Sequence, residues 1–191
     1  HFSSLRVSEA VSPVTITLTG IIPILMQTMN GVIQSTAASY GLAFILITTM
    51  MVLLFRSLRY GLLAMFPNVM PVICVLGGMY WLNIPLDMFT LLVGSIAIGL
   101  AVDDTIHFIV RYLRERKSGL SVDDAIRNSI VSVGGALLVS TLILLAGFSA
   151  SATSVMPHSQ LFSQLACIAV VVALIGDMVL LPAILKLVDG K

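Results

Sequence analysis

Five stretches of this chain stay apolar long enough to cross a hydrocarbon layer of about 30 Å, which takes roughly 20 helical residues. They fall near residues 39–55, 61–81, 88–110, 129–150 and 161–185. The polar breaks between them are a short turn after Phe55, a second around Asn83-Ile84-Pro85, a charged segment at 111–128, and a Ser-rich turn around Pro157. The pattern predicts an all-α membrane protein: a five-helix transmembrane bundle over residues 36–191, with 111–128 as an amphipathic cytoplasmic segment. In that segment Ser121 precedes Asp123 and Asp124, a helix-start signature. The helix it opens either lies against the membrane surface with Arg127 towards the headgroups or is a solvated connector.

Residues 1–35 read differently. Val14-Thr15-Ile16-Thr17-Leu18-Thr19 alternates apolar and polar side chains and ends at Gly20, which predicts a short half-buried strand. Pro23 then opens a helix towards Ser35 on the outer face. A strand with no partner is unstable, so this one is expected to close an extracytoplasmic domain whose other strands lie elsewhere. The chain opens on His1 with no signal-peptide pattern and reads as a piece of something longer.

Composition sharpens the class. Apolar residues make up 58% of the 191, charged ones 10%, and mean hydropathy is +1.08. Such a chain cannot supply the polar exterior a soluble domain needs. Cys74 and Cys167 each sit inside an apolar run without a nearby His, Cys or acid, so they read as structural thiols rather than metal or redox groups. The basic residues are one-sided: Arg56, Arg59, Arg111, Arg114, Arg116, Lys117, Arg127, Lys186 and Lys191 fall on one side of the five crossings, and Arg6 on the other. The positive-inside rule makes the larger group cytoplasmic, with the N-terminus outside and the C-terminus inside. Topology accounts for the charge, and nothing suggests nucleic acid, phosphate loops, zinc ligands or a serine triad.

Candidate chemistry lies in the third crossing. Counted at about 1.5 Å per residue from Met88, Asp103 is roughly 22 Å into the layer, whereas Arg111, at about 34 Å, is already outside. A charged carboxylate facing lipid costs at least a few kcal/mol, so Asp103 and Asp104 are expected to face the bundle interior or a water-filled cavity. Burial and like charge both oppose ionisation of such a pair, which equips it to take up and release a proton. His107 stands angularly between the two acids at helical spacing. Ser95, Gly99 and Asp103 recur every four residues, a small-residue stripe that admits a close neighbouring helix. The bland alternative has the acids reaching a cytoplasmic water layer and bonding Arg111. Asp177 lies at similar depth in the fifth crossing; its place between Gly176 and Pro182 favours a helix-bend role over a relay role. Ser140 and Thr141, like Thr48 and Thr49, can bond their own helix backbones and are weaker candidates. Pro67 and Pro71, with Asn68 between them, mark a bend in the second crossing.

Taken together, Gly99-Leu100-Ala101-Val102-Asp103-Asp104 and Phe66-Pro67-Asn68-Val69-Met70-Pro71 resemble the membrane core of the resistance-nodulation-division (RND) superfamily. The likeness is greatest to the MMPL lipid exporters and their relatives Patched and Dispatched. It extends through Leu53-Leu54-Phe55-Arg56-Ser57-Leu58-Arg59, Ser140-Thr141-Leu142 with Gly147-Phe148, and Asp177-Met178-Val179-Leu180-Leu181-Pro182-Ala183, covering nearly the whole chain. The resemblance implies the five-helix part of one half of a transporter, the unit called a sterol-sensing domain in eukaryotic relatives, each half also carrying a porter domain. It implies export of lipids or other hydrophobic molecules driven by the proton motive force, with Asp103 first and Asp104 second in the ion relay and Gly99 as packing position. Implied partners are membrane lipids, the hydrophobic substrate, and the other half with its porter domains; no cofactor is implied beyond the coupling ion, proton or sodium. Homo-oligomers stay open. Mycobacterial-type exporters have Tyr where Asp104 stands, a departure that leaves the carrying acid undecided. The chain's end soon after the last helix favours the C-terminal half, and a bacterial inner membrane is the expected setting.

Two rival readings remain. The same unit can bind a sterol-like lipid as a sensor or scaffold without pumping. An intramembrane aspartyl protease built from Asp103 and Asp177 would suit shared-proton chemistry, but the Gly-x-Gly-Asp element of such proteases is missing and Pro182-Ala183-Ile184 matches their other signature only in part. No enzyme is expected.

Overall fold

The computed structural model describes residues 21–84 and 88–190, and among these every regular element is helical. The strand expected at 14–19 lies outside the described residues. Helices α1 (Ile21–Phe55), α2 (Leu58–Trp81), α3 (Met88–Lys117) and α4 (Val122–Ala152) are followed by α5 (Pro157–Ile175), a π-helical turn at Gly176–Leu180, and α6 (Leu181–Asp189). Five spans are long and apolar enough to cross a membrane: Gly31–Phe55, Leu58–Trp81, Thr90–Lys117, Val122–Ala152 and Pro157–Asp189. The protein is an all-α membrane bundle.

The chain divides into two units, His1–Ser39 and Tyr40–Lys191. In the first, the described residues are helical from Ile21, and α1 has no break at the boundary expected after residue 35. The charged segment 111–128 also differs from expectation. Rather than forming a helix of its own, it is shared between the end of α3, a turn at Gly119 with φ +90°, and the start of α4. Ser121 caps α4 as its spacing suggested, accepting from the Asp124 N–H at 3.2 Å, and its own hydroxyl donates to Asp124 Oδ2 at 2.6 Å.

Within the second unit α3 is the central helix and packs against α2, α4 and α5. Its buried face, Ile98, Ala101, Thr105, Phe108, Ile109 and Tyr112, follows helical spacing. Two apolar clusters surround it. One gathers Met51, Phe55, Phe108, Ile109, Tyr112, Leu181 and Leu185; the other uses Ala97, Ala166 and Ala169 with Val75, Met79, Val93 and Leu165. Alanines at these positions let backbones approach closely, the usual means of packing helices where lipid offers no hydrophobic contrast. Much of what α1 and α4 leave uncovered is apolar: Leu42, Ile45, Leu46, Leu53, Val131, Leu142 and Ile143 are all exposed, as a lipid-facing surface requires.

Two proline sites shape the interior. α2 continues as one helix through Pro67 and Pro71. Because Pro71 has no N–H, the carbonyl of Pro67 lacks its intrahelical donor. Gly176 packs there: a Cβ on it would sit 3.4 Å from Pro67 O, in ordinary contact. Pro182 likewise cannot donate to Met178 O, and the chain widens just before it into the π turn, where the Leu181 N–H reaches Gly176 O five residues back.

The far end of α6 is pinned by Asp189. Its carboxylate, 6% exposed, accepts from Tyr60 Oη at 2.8 Å and Tyr112 Oη at 2.7 Å on one oxygen, and its other oxygen lies 3.4 Å from Arg59 Nη1. Arg59 also donates to Val188 O, and Lys186 pairs with Asp123 at 2.7 Å. Asp189→Ala orphans two phenol hydroxyls at once. Arg59 is more than half exposed, so its lost pairing adds little. The expected loss is about 2–4 kcal/mol in unfolding titrations in mixed micelles, with Asp189→Asn, which keeps an acceptor, losing less than half as much.

Candidate functional site

The two acids of α3 point to different places. Ser95, Gly99, Asp103 and His107 lie on one exposed stripe, the Asp103 side chain 75% uncovered by this unit and that of His107 66%. Asp103 Oδ1 and His107 Nε2 stand 3.7 Å apart, one helical turn between them. A Cβ added to Gly99 would meet nothing within 4 Å, so among the described residues nothing packs closely against the stripe there. Of the two placements the sequence suggests for Asp103, the bundle interior or a water-filled cavity, it therefore does not take the interior of these five helices. Residues recurring every four positions share one face. Which way that face turns depends on what packs against the opposite one, and here the apolar residues of α3 had the stronger claim on the core.

Asp104, one residue on, is half-buried and turned about 100° from Asp103. It interacts electrostatically with Asp103 and His107 and with Asp177. Among the described residues Arg111 pairs with Glu115 at 2.6 Å and with neither acid, so the Arg111 contact of the alternative reading is not formed, while its water-layer part is untouched.

Deeper in, Asn68 of α2, Thr105 of α3 and Asp177 of the π turn come together, each fully buried. Thr105 Oγ1 is 2.8 Å from Asn68 Oδ1 and 2.5 Å from Asp177 Oδ1. Among the described residues, Asn68 Nδ2 and Asp177 Oδ2 have no partner. Asp177 lies in the π-helical turn between Gly176 and Pro182 and is a fully buried acid. Thr105 escaped notice in the sequence. Its signal is positional: it is a polar residue on the apolar face of α3, directly after the acid pair. In the sequence Asn68 marks only a bend; its partner Thr105 is 37 positions away, and Asp177, joined to it through Thr105, is 109 away, beyond any local pattern.

The weaker candidates behave as local bonders. Ser140 donates to Leu137 O at 2.9 Å, Thr48 to Phe44 O at 2.6 Å and Thr49 to Ile45 O at 2.8 Å. Thr141 is buried within the bundle. Among the described residues, no group of three His, Cys, Asp or Glu is placed to hold a metal ion. Three polar groupings thus lie on and around α3: an exposed acid–histidine pair, a half-buried acid and a closed polar trio. Such groups are equipped to hold and pass a small cation or a proton.

A sequence model described as the MMPL family matches residues 4–190. A membrane protein of Methanocaldococcus jannaschii is 31% identical over 184 residues, covering 94% of this chain and 47% of the relative. The chain thus spans about half the length of that curated relative. No solved structure gives a significant match.

Proposed function

Given that the chain belongs to the MMPL family, we propose that it forms one half of the membrane region of an RND-type transporter that exports lipids or other hydrophobic molecules, drawing on a proton gradient. The observation that carries this reading is the exposed stripe Ser95–Gly99–Asp103–His107. A carboxylate at that depth is too costly to leave against lipid, and the small residues beside it suit a closely packed helix. The other half of the transporter is the natural cover, and the match to about half of a longer relative supports it. Asp103, Asp104 and His107 are then the ion relay, held between the two halves. The end of the bundle carrying Arg56, Arg59, Arg114, Arg116 and Lys117 faces the cytoplasm, and the setting is the cytoplasmic membrane.

Proton uptake changes the cost of burying these acids, and that difference biases the packing of α3 between two arrangements. The test uses the intact transporter in proteoliposomes with a fluorescent lipid. Transport should fall to background when a protonophore collapses the gradient, and should not be restored by a sodium gradient. Transport that follows sodium would replace the coupling ion; transport indifferent to both gradients would sink the reading.

A second reading has its own observation. A groove of about 530 Å³ along α2, lined by Met65, Phe66, Val69, Met70, Ile73 and Cys74 with Leu180, is almost wholly apolar. A lipid-sensing module would use such a groove without pumping. Saturable binding of a photoreactive lipid that is unaffected by the gradient, in a protein that moves no lipid, would favour it.

A further inference from the structure

The trio Asn68, Thr105 and Asp177 poses a problem of proton counting. A threonine hydroxyl has one hydrogen and donates to one acceptor at a time. Thr105 Oγ1 nevertheless lies within bonding distance of two acceptor oxygens, Asn68 Oδ1 and Asp177 Oδ1. With the Asn68 amide in this orientation, one further proton settles it. A neutral Asp177 donates its O–H to Thr105 Oγ1, Thr105 donates to Asn68 Oδ1, and both short contacts become hydrogen bonds.

Removing that proton forces a rearrangement. Asp177 becomes acceptor-only, so Thr105 must turn its hydrogen towards Asp177. Asn68 must then rotate its amide to present Nδ2 to the hydroxyl, since two acceptors cannot face each other across it. The charge state of Asp177 thus sets the direction of a three-residue hydrogen-bond chain joining α2, α3 and the π turn.

The surroundings favour a site over a static anchor. All three side chains are 0% exposed, and among the described residues neither Asn68 Nδ2 nor Asp177 Oδ2 has a partner, leaving the two amide N–H donors and one carboxyl oxygen in reserve. Asp177 sits in a π turn, a form of helix that recurs at functional positions. Of the elements packed around it, α3 brings Asp104, whose charge acts on Asp177; α2 brings neutral Asn68 and the Pro67 backbone; and α4 brings Gly134 against the neighbouring Met178.

We propose that Asn68, Thr105 and Asp177 form a buried proton-binding site in which Asp177 exchanges a proton with Asp104 and the Thr105 hydroxyl reverses direction with each exchange. When the proton moves inward, the O–H bond of Asp104 breaks and that of Asp177 forms, leaving Asp104 as the carboxylate; the return step is the reverse. The exchange with Asp104 rests on the ion-relay reading above, whereas proton binding at Asp177 stands without it.

Infrared difference spectra of the intact protein in lipid nanodiscs, recorded between acidic and alkaline pH, test both parts. The native protein should show the C=O band of a hydrogen-bonded, protonated carboxyl that disappears at high pH. Asp177→Asn should remove that band, Thr105→Val should shift its frequency, and Asp104→Asn should keep it but change the pH at which it is lost. A native spectrum in Asp177→Asn overturns the site. If that variant does not fold, an unshifted band in Thr105→Val does so instead. A band that responds to sodium at constant pH also overturns it, in favour of a metal cation. Loss of the band in Asp177→Asn alongside undiminished transport in Asp104→Asn would keep the site and remove the relay.

Discussion

Asp104→Asn in the intact transporter is expected to reduce gradient-driven lipid transport to the level seen with the gradient collapsed. Asparagine has the shape of aspartate and keeps an acceptor oxygen, so the packing of a half-buried side chain should survive. What it loses is the ability to take and release a proton. Asp104 interacts electrostatically both with the exposed Asp103–His107 pair and with the buried Asp177, so it is a carboxyl that connects the two. Removing a positioned proton carrier costs about 100-fold or more in rate where proton transfer is essential. Asp103→Asn should be severe as well, because it leaves His107 without its partner one turn away. Full transport in Asp104→Asn with none in Asp103→Asn would confine the relay to the outer stripe.

Gly61→Leu should be the most damaging single substitution in the hairpin of α1 and α2. A Cβ at position 61 would come within 2.9 Å of the Val52 backbone, both N and Cα, and closer still to its side chain. Backbone cannot move aside as a flexible side chain does, so the two helices would have to separate. The short connection between them, with Arg56 at φ 51°, leaves little slack. Overpacking of this kind typically costs 1–3 kcal/mol and more against backbone, so about 3 kcal/mol or above is expected for leucine and roughly 1–2 for alanine. Thermal unfolding in detergent would measure it. Gly77→Ala is the control: a Cβ there meets nothing within 4 Å, and the change should be neutral or slightly stabilising. Equal effects at both positions would show that helix propensity, not the close approach, governs the hairpin.

Neither effect could be ranked from the sequence. Gly61 looks like any glycine in an apolar run, and its importance comes from Val52 on another helix. Asp103 and Asp104 were visible as acids in a crossing because hydropathy is a local property. Their division into an outward and an inward group was not, because it depends on which face of α3 the other helices occupy. Asp189 drew no attention in a charged tail, yet its carboxylate is buried under Tyr60 and Tyr112, 129 and 77 positions away.

Taken alone, the sequence determined the class of molecule, the number of crossings and the start of α4 at Ser121. These follow from interactions within one helix or between helix and solvent: the length of an apolar run, the spacing of a cap from its first-turn acid, the absence of charge. Tertiary structure alone decided that Asn68, Thr105 and Asp177 share a buried centre and that Asp103 lies on an uncovered stripe. Desolvation requires a polar group inside a bundle to find a partner but does not say which one, and the choice is made only when helices distant in the chain pack side by side.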